Sequence, residues 1–448
     1  MEYFNTYSPE YIAAVKSGNA HYKLRLELLG QDEKSIGEIT KDLSISAQGQ
    51  ININYEQITR RSCSLTLIDV EGKYRPHKNS GFWINRKFKL WLGVTARKYR
   101  VVDGHGAFET DTYWWSQGVF YTVSASAPNN RTISIEGVDK GGALDGTLKL
   151  NLSDSQYLIE RGVLLPTVIK DTLALNVGAS GIADLSGIVY GGDNPVDVAP
   201  PLVAIEYFNT PIVSQISVDA NNYIGEVFTK LAELYAADCY YDTEGQFVFK
   251  PYLDSSGYKY APTQWEFNDL SSFFEDVDYN YSYDGINVVT CYTNTSEAGV
   301  ANVAWTAYNT NPLSPLAVSC GIRRGDSQEI PYYDTAIPED SPYTEEEIRE
   351  QQKEQAIKDC RAAANHYLLK HSLIGMALNF NCPIIPHMDV NKTVGISDKY
   401  AGLEGGIFIV QSITIPLSAA KMSISATNIN WLPNDMSFSG VSEVAERS

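Results

Sequence analysis

The chain has 448 residues, enough for roughly two to four domains with their own cores. It carries 35 Lys+Arg against 54 Asp+Glu, a net charge of -19, and so excess an acidity repels a phosphate backbone and excludes an ordinary nucleic-acid binder. Apolar residues at 44%, 29 Tyr against 15 Phe and only 20% charged residues suit a β-rich protein with large polar contact surfaces; no apolar run approaches the ~20 residues of a membrane span, and the polar start MEYFNTYSPE lacks a signal-peptide pattern, so folding in a reducing cytoplasm is expected.

Ser8-Pro9-Glu10 reads as N-cap, N1 and N2 of a short helix, with Gly18 as its stop. Alternating strands follow at 21–29, 45–56, 61–69, 86–94, 113–126 and 131–139, separated by turn clusters at Asp32, Gly72–Ser80 and Asp103–Gly106. At least six strands within ~125 residues and no helix imply a β-barrel or sandwich. The character changes around Gly141. Helical signals mix over 154–176, and 179–203 is rich in Gly and Pro.

Asn221–Tyr252 is the most informative stretch. Ile224, Val227, Phe228, Leu231, Leu234 and Tyr235 mark an amphipathic helix. Asp242-Thr243-Glu244-Gly245 then turns the chain between two β-rich runs, CYY and QFVF. Strands return over 277–293 and 301–315. A long helix is predicted over 344–371, with Thr344 as N-cap and a Glu run favoured by the helix dipole. Its stripe is Ile348, Ala356, Ile357, Cys360, Ala363, Ala364, Tyr367 and Leu368. Strands close the pattern at 374–383, 393–398, 405–417 and 421–431, and MSFSGVSEVAERS reads as a polar tail.

The expected fold class is mainly β with an α+β insertion. The expected division is an N-terminal arm or helix at 1–20, a first β-barrel domain at 21–150, an inserted α+β domain at 151–275, a second β-barrel domain at 276–431 holding the helix 344–371, and a C-terminal tail at 432–448. No short-period repeat is visible, but two β-rich regions around an α+β region suggest a coarse duplication. Charge divides unevenly. Residues 1–150 hold 19 Lys+Arg and 16 Asp+Glu, hence +3, and the remainder holds 16 and 38, hence -22. That acidity suits either a solubility surface or the wall of a channel through which DNA slides without sticking.

Catalytic signatures are missing. The six Cys (Cys63, Cys239, Cys291, Cys320, Cys360, Cys382) are scattered with no CxxC, the pattern of buried free thiols. His21, His77, His105, His366, His371 and His387 form no metal spacing; His366 and His371 lie five apart, on different helix faces. GVDKGGALDG (137–146) reads as a tight turn after a strand, not a phosphate loop. Asp254–Gly257 and Asp398–Gly405 could hold Ca²⁺, but neither fits an EF-hand. Tyr113-Trp114-Trp115 reads as core or rim packing ahead of a sugar-stacking platform. No catalytic, cofactor-binding or metal-ligating residue is expected, and no enzyme.

Several segments in order resemble the tail or baseplate hub proteins of bacteriophages and related injection machines. TYSPEYIAAVKSGNAHYKLRLEL is similar to the helix leading into the first hub strand. YWWSQGVFYTVSASAPNNRTISIEGVDKGGALDG resembles the strand pair ending the first barrel, and IGEVFTKLAELYAADCYYDTEGQFVFKP the helix-hairpin of the inserted domain. INVVTCYTNTSEAGVANVAWTAYNTNPLSPLAVSCGIRRG is similar to the start of the second barrel. ALNFNCPIIPHMDVNKTVGISD and FIVQSITIPLSAAKMSISATNINW look like its closing strands. The resemblance spans about 10–430. It implies a homotrimer joining the sixfold tail tube to the threefold spike, since two similar barrels in each of three chains make six units. The implied partners are tail tube or distal tail protein, spike or tip protein and tape measure protein, with DNA only passing through. The implied location is the virion tail, assembled in the host cytoplasm. No lysozyme-like segment is present. A receptor- or carbohydrate-binding tail tip protein and a cell-wall hydrolase are the alternatives.

Overall fold

The computed structural model describes residues 8–18, 20–30, 33–41, 44–75, 86–102, 105–128, 131–148, 157–174, 188–190, 211–212, 215–219, 222–235, 237–251, 262–268, 275–281, 286–294, 302–310, 325–330, 343–371, 376–417, 421–428 and 438–445. Helix α1 (Pro9–Lys16) starts where the sequence places it. The Ser8 hydroxyl accepts from the Tyr11 N–H at 3.1 Å, and Tyr11 and Val15 are buried. Seven strands follow: β1 (His21–Leu29), β2 (Ser35–Glu38), β3 (Ser44–Asn54), β4 (Arg61–Ile68), β5 (Lys87–Val102), β6 (His105–Ser126) and β7 (Thr132–Asp139). They lie in the order β2-β1-β5-β6-β7-β4-β3. β5 and β6 outrun their predicted bounds because their pairing continues as far as Val102 opposite His105, through a stretch whose alternation is lost.

An α+β segment comes next. It contains β8 (Tyr157–Ile159), α2 (Leu165–Ala174), β9 (Ile188–Tyr190), β10 (Ile216–Val218), α3 (Gly225–Leu234), β11 (Ala237–Tyr241) and β12 (Phe247–Pro251). α3 and the β11–β12 hairpin are the helix and turn predicted over Asn221–Tyr252. α3 buries Val227, Phe228 and Leu231 in a core shared with Leu165, Ile169, Phe247 and Phe249.

The remaining strands are β13 (Trp265–Asn268), β14 (Glu275–Tyr281), β15 (Val288–Thr293), β16 (Asn302–Asn309), β17 (Gly325–Ile330), β18 (Met376–Pro383), β19 (Thr393–Asp398), β20 (Leu403–Pro416), β21 (Lys421–Asn428) and β22 (Phe438–Ala445), with α4 (Glu345–His371) between β17 and β18. The protein is mainly β, as expected. Three details differ from the sequence reading. The region 276–431 supplies strands to two sheets: β15, β16 and β17 leave the main sheet and form a four-stranded one, β17-β15-β16-β22, with its own core under α4. The polar tail contains β22, an edge strand paired with β16, whose mixed sequence gives no alternating signal. β13, only four residues long, belongs to the main sheet through β19.

α4 begins on a reciprocal capping box, the Glu347 N–H donating to Thr344 Oγ1 at 3.3 Å and the Thr344 N–H to Glu347 Oε2 at 2.9 Å. Its buried positions Ala356, Cys360, Ala364 and Leu368 recur at four-residue spacing and pack with Val289, Cys291, Val303 and Ala307.

The main sheet repeats itself. One path runs β3-β4-β7-β6-β5-β1 and a second runs β14-β18-β21-β20-β19-β13. The first four ladders of each path are antiparallel, and three carry a register shift in corresponding places: Ile45/Gly49 and Glu275/Asp278, Thr122/Ser124 and Val410/Ser412, Leu90/Trp91 and Ile396/Asp398. The last ladder differs, antiparallel for β1–β5 and parallel for β13–β19. The two paths are joined side by side by β20–β3, Ser412 opposite Asn54 through Pro416 opposite Gln50. Ile51, Ile53, Phe88, Leu90, Phe380, Phe408, Ile413 and Ile415 share one buried core.

Candidate functional site

Charged side chains buried together mark where three parts of the chain meet. Arg60 precedes β4, Arg61 opens it, and Asp139 closes β7. The β11–β12 hairpin arrives from the α+β segment, and the 384–391 connection comes from the second strand path. Asp139 Oδ2 accepts the Arg61 N–H at 2.8 Å and Oδ1 accepts the Gly141 N–H at 2.9 Å, capping a short turn over Lys140–Ala143. The Arg61 guanidinium donates from Nη1 to the Tyr241 carbonyl at 3.0 Å and from Nη2 to Asp389 at 2.6 Å. One side chain therefore ties the first path to both other parts. Arg60 pairs with Asp238, whose second oxygen accepts from Asn391 Nδ2 at 3.3 Å. Its guanidinium lies 3.7 Å from the Tyr240 ring centre and 4.9 Å from that of Tyr55, a cation–π arrangement in a desolvated place.

A second ionic group holds the hairpin's tip. Lys140 Nζ reaches Glu33 at 2.7 Å and the Gly245 carbonyl at 2.8 Å, and Lys87 Nζ shares the same Glu33 oxygen at 3.0 Å. Gly245 has φ +81°, and a Cβ there would come within 2.9 Å of Val119 Cγ2. Glycine is required by both the left-handed backbone and the close approach. Lys89 pairs with Glu244 at 2.5 Å, and Ser116 Oγ donates to the Thr243 carbonyl at 2.6 Å. The Asp242 carboxylate accepts from the Glu244 and Gln246 N–H groups, fixing the turn.

His387 sits beside this junction, with its ring 5.4 Å from Trp115 and 5.7 Å from Trp265. Tyr11 Oη lies 2.7 Å from Nδ1, and Nε2 lies 3.3 Å from the Gln264 carbonyl. A neutral ring satisfies both contacts when Nε2–H donates to the carbonyl and Nδ1 accepts from the tyrosine. Burial holds its pKa down at about 4. Burial acts the other way on Asp139, pushing its carboxyl up to about 7 against the opposing pull of Arg61.

These groups bind one another. Among the described residues, no group of three or more His, Cys, Asp and Glu could hold a metal ion. The Asp398 carboxylate accepts the Tyr400 and Ala401 N–H groups and the Tyr279 hydroxyl, as a turn residue. Asp254–Gly257, His77 and Cys320 lie outside the described residues, as do the side chains of His105, His366 and His371. Cys63, Cys239, Cys291, Cys360 and Cys382 are buried and free, and burial pushes the Cys291 and Cys360 thiols up to about 12, making the thiolate scarce. Trp114 packs over Gly93, and Arg25 covers both Trp91 and Trp114 at 4.9 and 5.4 Å, while Trp115 faces Tyr11. The aromatic cluster is packing.

No protein-family model and no curated protein sequence matches the chain. Solved structures do. The tail protein from Neisseria meningitidis MC58 superposes with a TM-score of 0.55 at 12% identity, over 92% of this chain and 98% of that one. The 43 kDa tail protein of prophage MuSo2 from Shewanella oneidensis gives 0.50 at 11% identity, over 91% and 99%. A Francisella PdpA–VgrG complex gives 0.47 at 10% identity, over 92% and 58%. The chain has the fold of the two tail proteins over nine-tenths of its length.

Proposed function

We propose that the chain is a structural, non-enzymatic component of a phage or phage-like tail: the hub that joins a sixfold tail tube to a threefold spike or tip. The observation that carries this reading is the fold shared along almost the whole length of two tail proteins. The repeated strand path supports it further, because two similar units in each of three chains present six units to a hexameric tube and three chains to a spike. In this reading the ionic junction is a clamp. It fixes the α+β segment against both units, so that a ring of such chains is rigid at its joints.

The further elements of the reading are a homotrimer in the virion tail, assembled in the host cytoplasm, with tail tube or distal tail, spike and tape measure proteins as partners and a channel for genome ejection. The net charge of -22 over residues 151–448 fits a wall that does not hold phosphates. The test is to image purified tails carrying a tagged copy of the chain. Label at the junction of tube and tip supports the hub; label on fibres, or none on the particle, refutes it. Purified chain mixed with duplex DNA at low salt, where screening is weakest, is expected to give no shift in gel mobility.

A further inference from the structure

The joint between the two strand paths has a second counterpart in the strand order. Inside the chain, β20 continues past its bulge at Gln411 and pairs with β3, placing Ile413 opposite Ile53 and Ile415 opposite Ile51. The repeated path gives each of these strands an equivalent. β6 corresponds to β20 and β14 corresponds to β3. The match extends to single hydrogen bonds. Just before the bulges, the Val410 N–H donates to the Lys392 carbonyl and the Thr122 N–H to the Arg86 carbonyl. Beyond the bulges both strands read Ser-x-x-x-Pro, Ser412–Pro416 and Ser124–Pro128.

Among the described residues, β6 beyond Tyr121 has a ladder only with β7, and β14 only with β18. Among the described residues each has one side outside any strand ladder. The corresponding edges of β20 and β3 are used up on one another. β6 and β14 lie on different paths of the same chain, so these two sides are complementary ends of a head-to-tail joint, and such a joint links copies into a ring or a filament. Residues buried in the internal joint (Ile51, Ile53, Ile413, Ile415) have partly accessible counterparts here in Ala125, Ala127 and Tyr279, and Val123 is exposed. Arg75 caps the far end of the β6 edge, donating to the carbonyls of Ala127 and Pro128.

We propose that the partner for these edges is a second copy of the chain, and that β6 of one copy pairs antiparallel with β14 of the next in the register of the internal joint: Ala125 opposite Tyr281, Ser126 opposite Asn280, Ala127 opposite Tyr279. This rests on the reading of the chain as a ring subunit and specifies which strands close the ring.

The test is cross-linking of the full chain. Ser126→Cys with Asn280→Cys is compared with Ser126→Cys with Asp278→Cys, a two-residue slip, each single variant setting the background. Mild oxidation is expected to give inter-chain dimers and trimers on a non-reducing gel at least ten times more readily for the first pair. Ala125→Pro removes an amide that faces the open edge, where proline is tolerated in the folded chain; it is expected to keep the circular dichroism of the parent while losing assembly by light scattering. An assembly that forms with no preference between the two cysteine pairs, or that survives Ala125→Pro, overturns the joint and leaves the hub reading standing. A chain that is monomeric and uncross-linked throughout overturns both.

Discussion

Breaking the Arg60–Asp238 pair should loosen the helix-hairpin from the β units. The two side chains are 2% and 7% exposed, so neither charge finds water when its partner is lost. Arg60→Met keeps an apolar stem against Tyr240 and leaves Asp238 with only Asn391 as partner. Asp238→Asn keeps the shape and leaves a buried guanidinium. Each single substitution should cost about 3–5 kcal/mol, the cost of an uncompensated buried charge. The double substitution removes both charges and should cost no more than either single one, an interaction energy of about 3 kcal/mol or more. Because a chain with several cores does not unfold in one step, local opening is the quantity to follow. Amide hydrogen exchange over β11 and β12 reports it, and protection should fall roughly a hundredfold to a few thousandfold in each single variant, at 1.4 kcal/mol per tenfold. If the double variant loses the sum of the two single losses, the side chains are not coupled and the clamp is refuted.

Other outcomes follow from single residues. Ala364→Glu puts a carboxylate into the core between α4 and its sheet and should lower stability by roughly 3 kcal/mol or more, while Ala362→Glu on the exposed face should change it by less than ~0.5 kcal/mol; equal thermal unfolding of the two would show that the stripe is not buried. Gly245→Ala must adopt φ +81° against Val119 and should cost about 1–2 kcal/mol at the hairpin, read as raised exchange at Gln246–Val248. His387 is held neutral down to about pH 4 in the fold but takes up a proton near 6.5 when unfolded. The unfolded chain thus binds more protons between these values, and the contribution of His387 is full above pH 6.5 and lost as pH falls towards 4, by about 1.4 kcal/mol per unit. Asp139, raised to about 7, acts oppositely, its contribution falling as pH rises from 3.8 to 7. The difference between parent and His387→Phe isolates the histidine and should grow with pH from 4 to 6.5; a difference flat with pH refutes its buried neutral state.

Local signals carry most of the fold. The Ser8 cap, the alternation of 61–69 and 131–139, the helix-hairpin at Asn221–Tyr252 and the Thr344 capping box all state their structure within a few residues, and each is found where the sequence puts it. What is missed depends on pairing over long distance. Nothing in Ser412–Pro416 or Gln50–Asn54 names the other strand, so two barrel regions read as separate while they share one sheet and one core. β22 is polar and owes its strand state to β16. The ionic junction was equally hidden. Arg60-Arg61 ahead of an apolar alternation and Lys140 ahead of two glycines are ordinary surface signals, and only tertiary contact buries them beside Asp238, Asp389 and Glu33. A pair of adjacent arginines at the mouth of a strand, spaced to face opposite sides, was the one available hint.

Electron cryo-microscopy of intact tails tests the central claim most directly. The expected result is a ring at the junction of tube and tip that contains three copies of this chain, with two β units per copy giving six units around the axis and β6 of each copy running beside β14 of the next. A ring of six copies, a tip in which the chain is single and off axis, or a particle from which it is absent would contradict it.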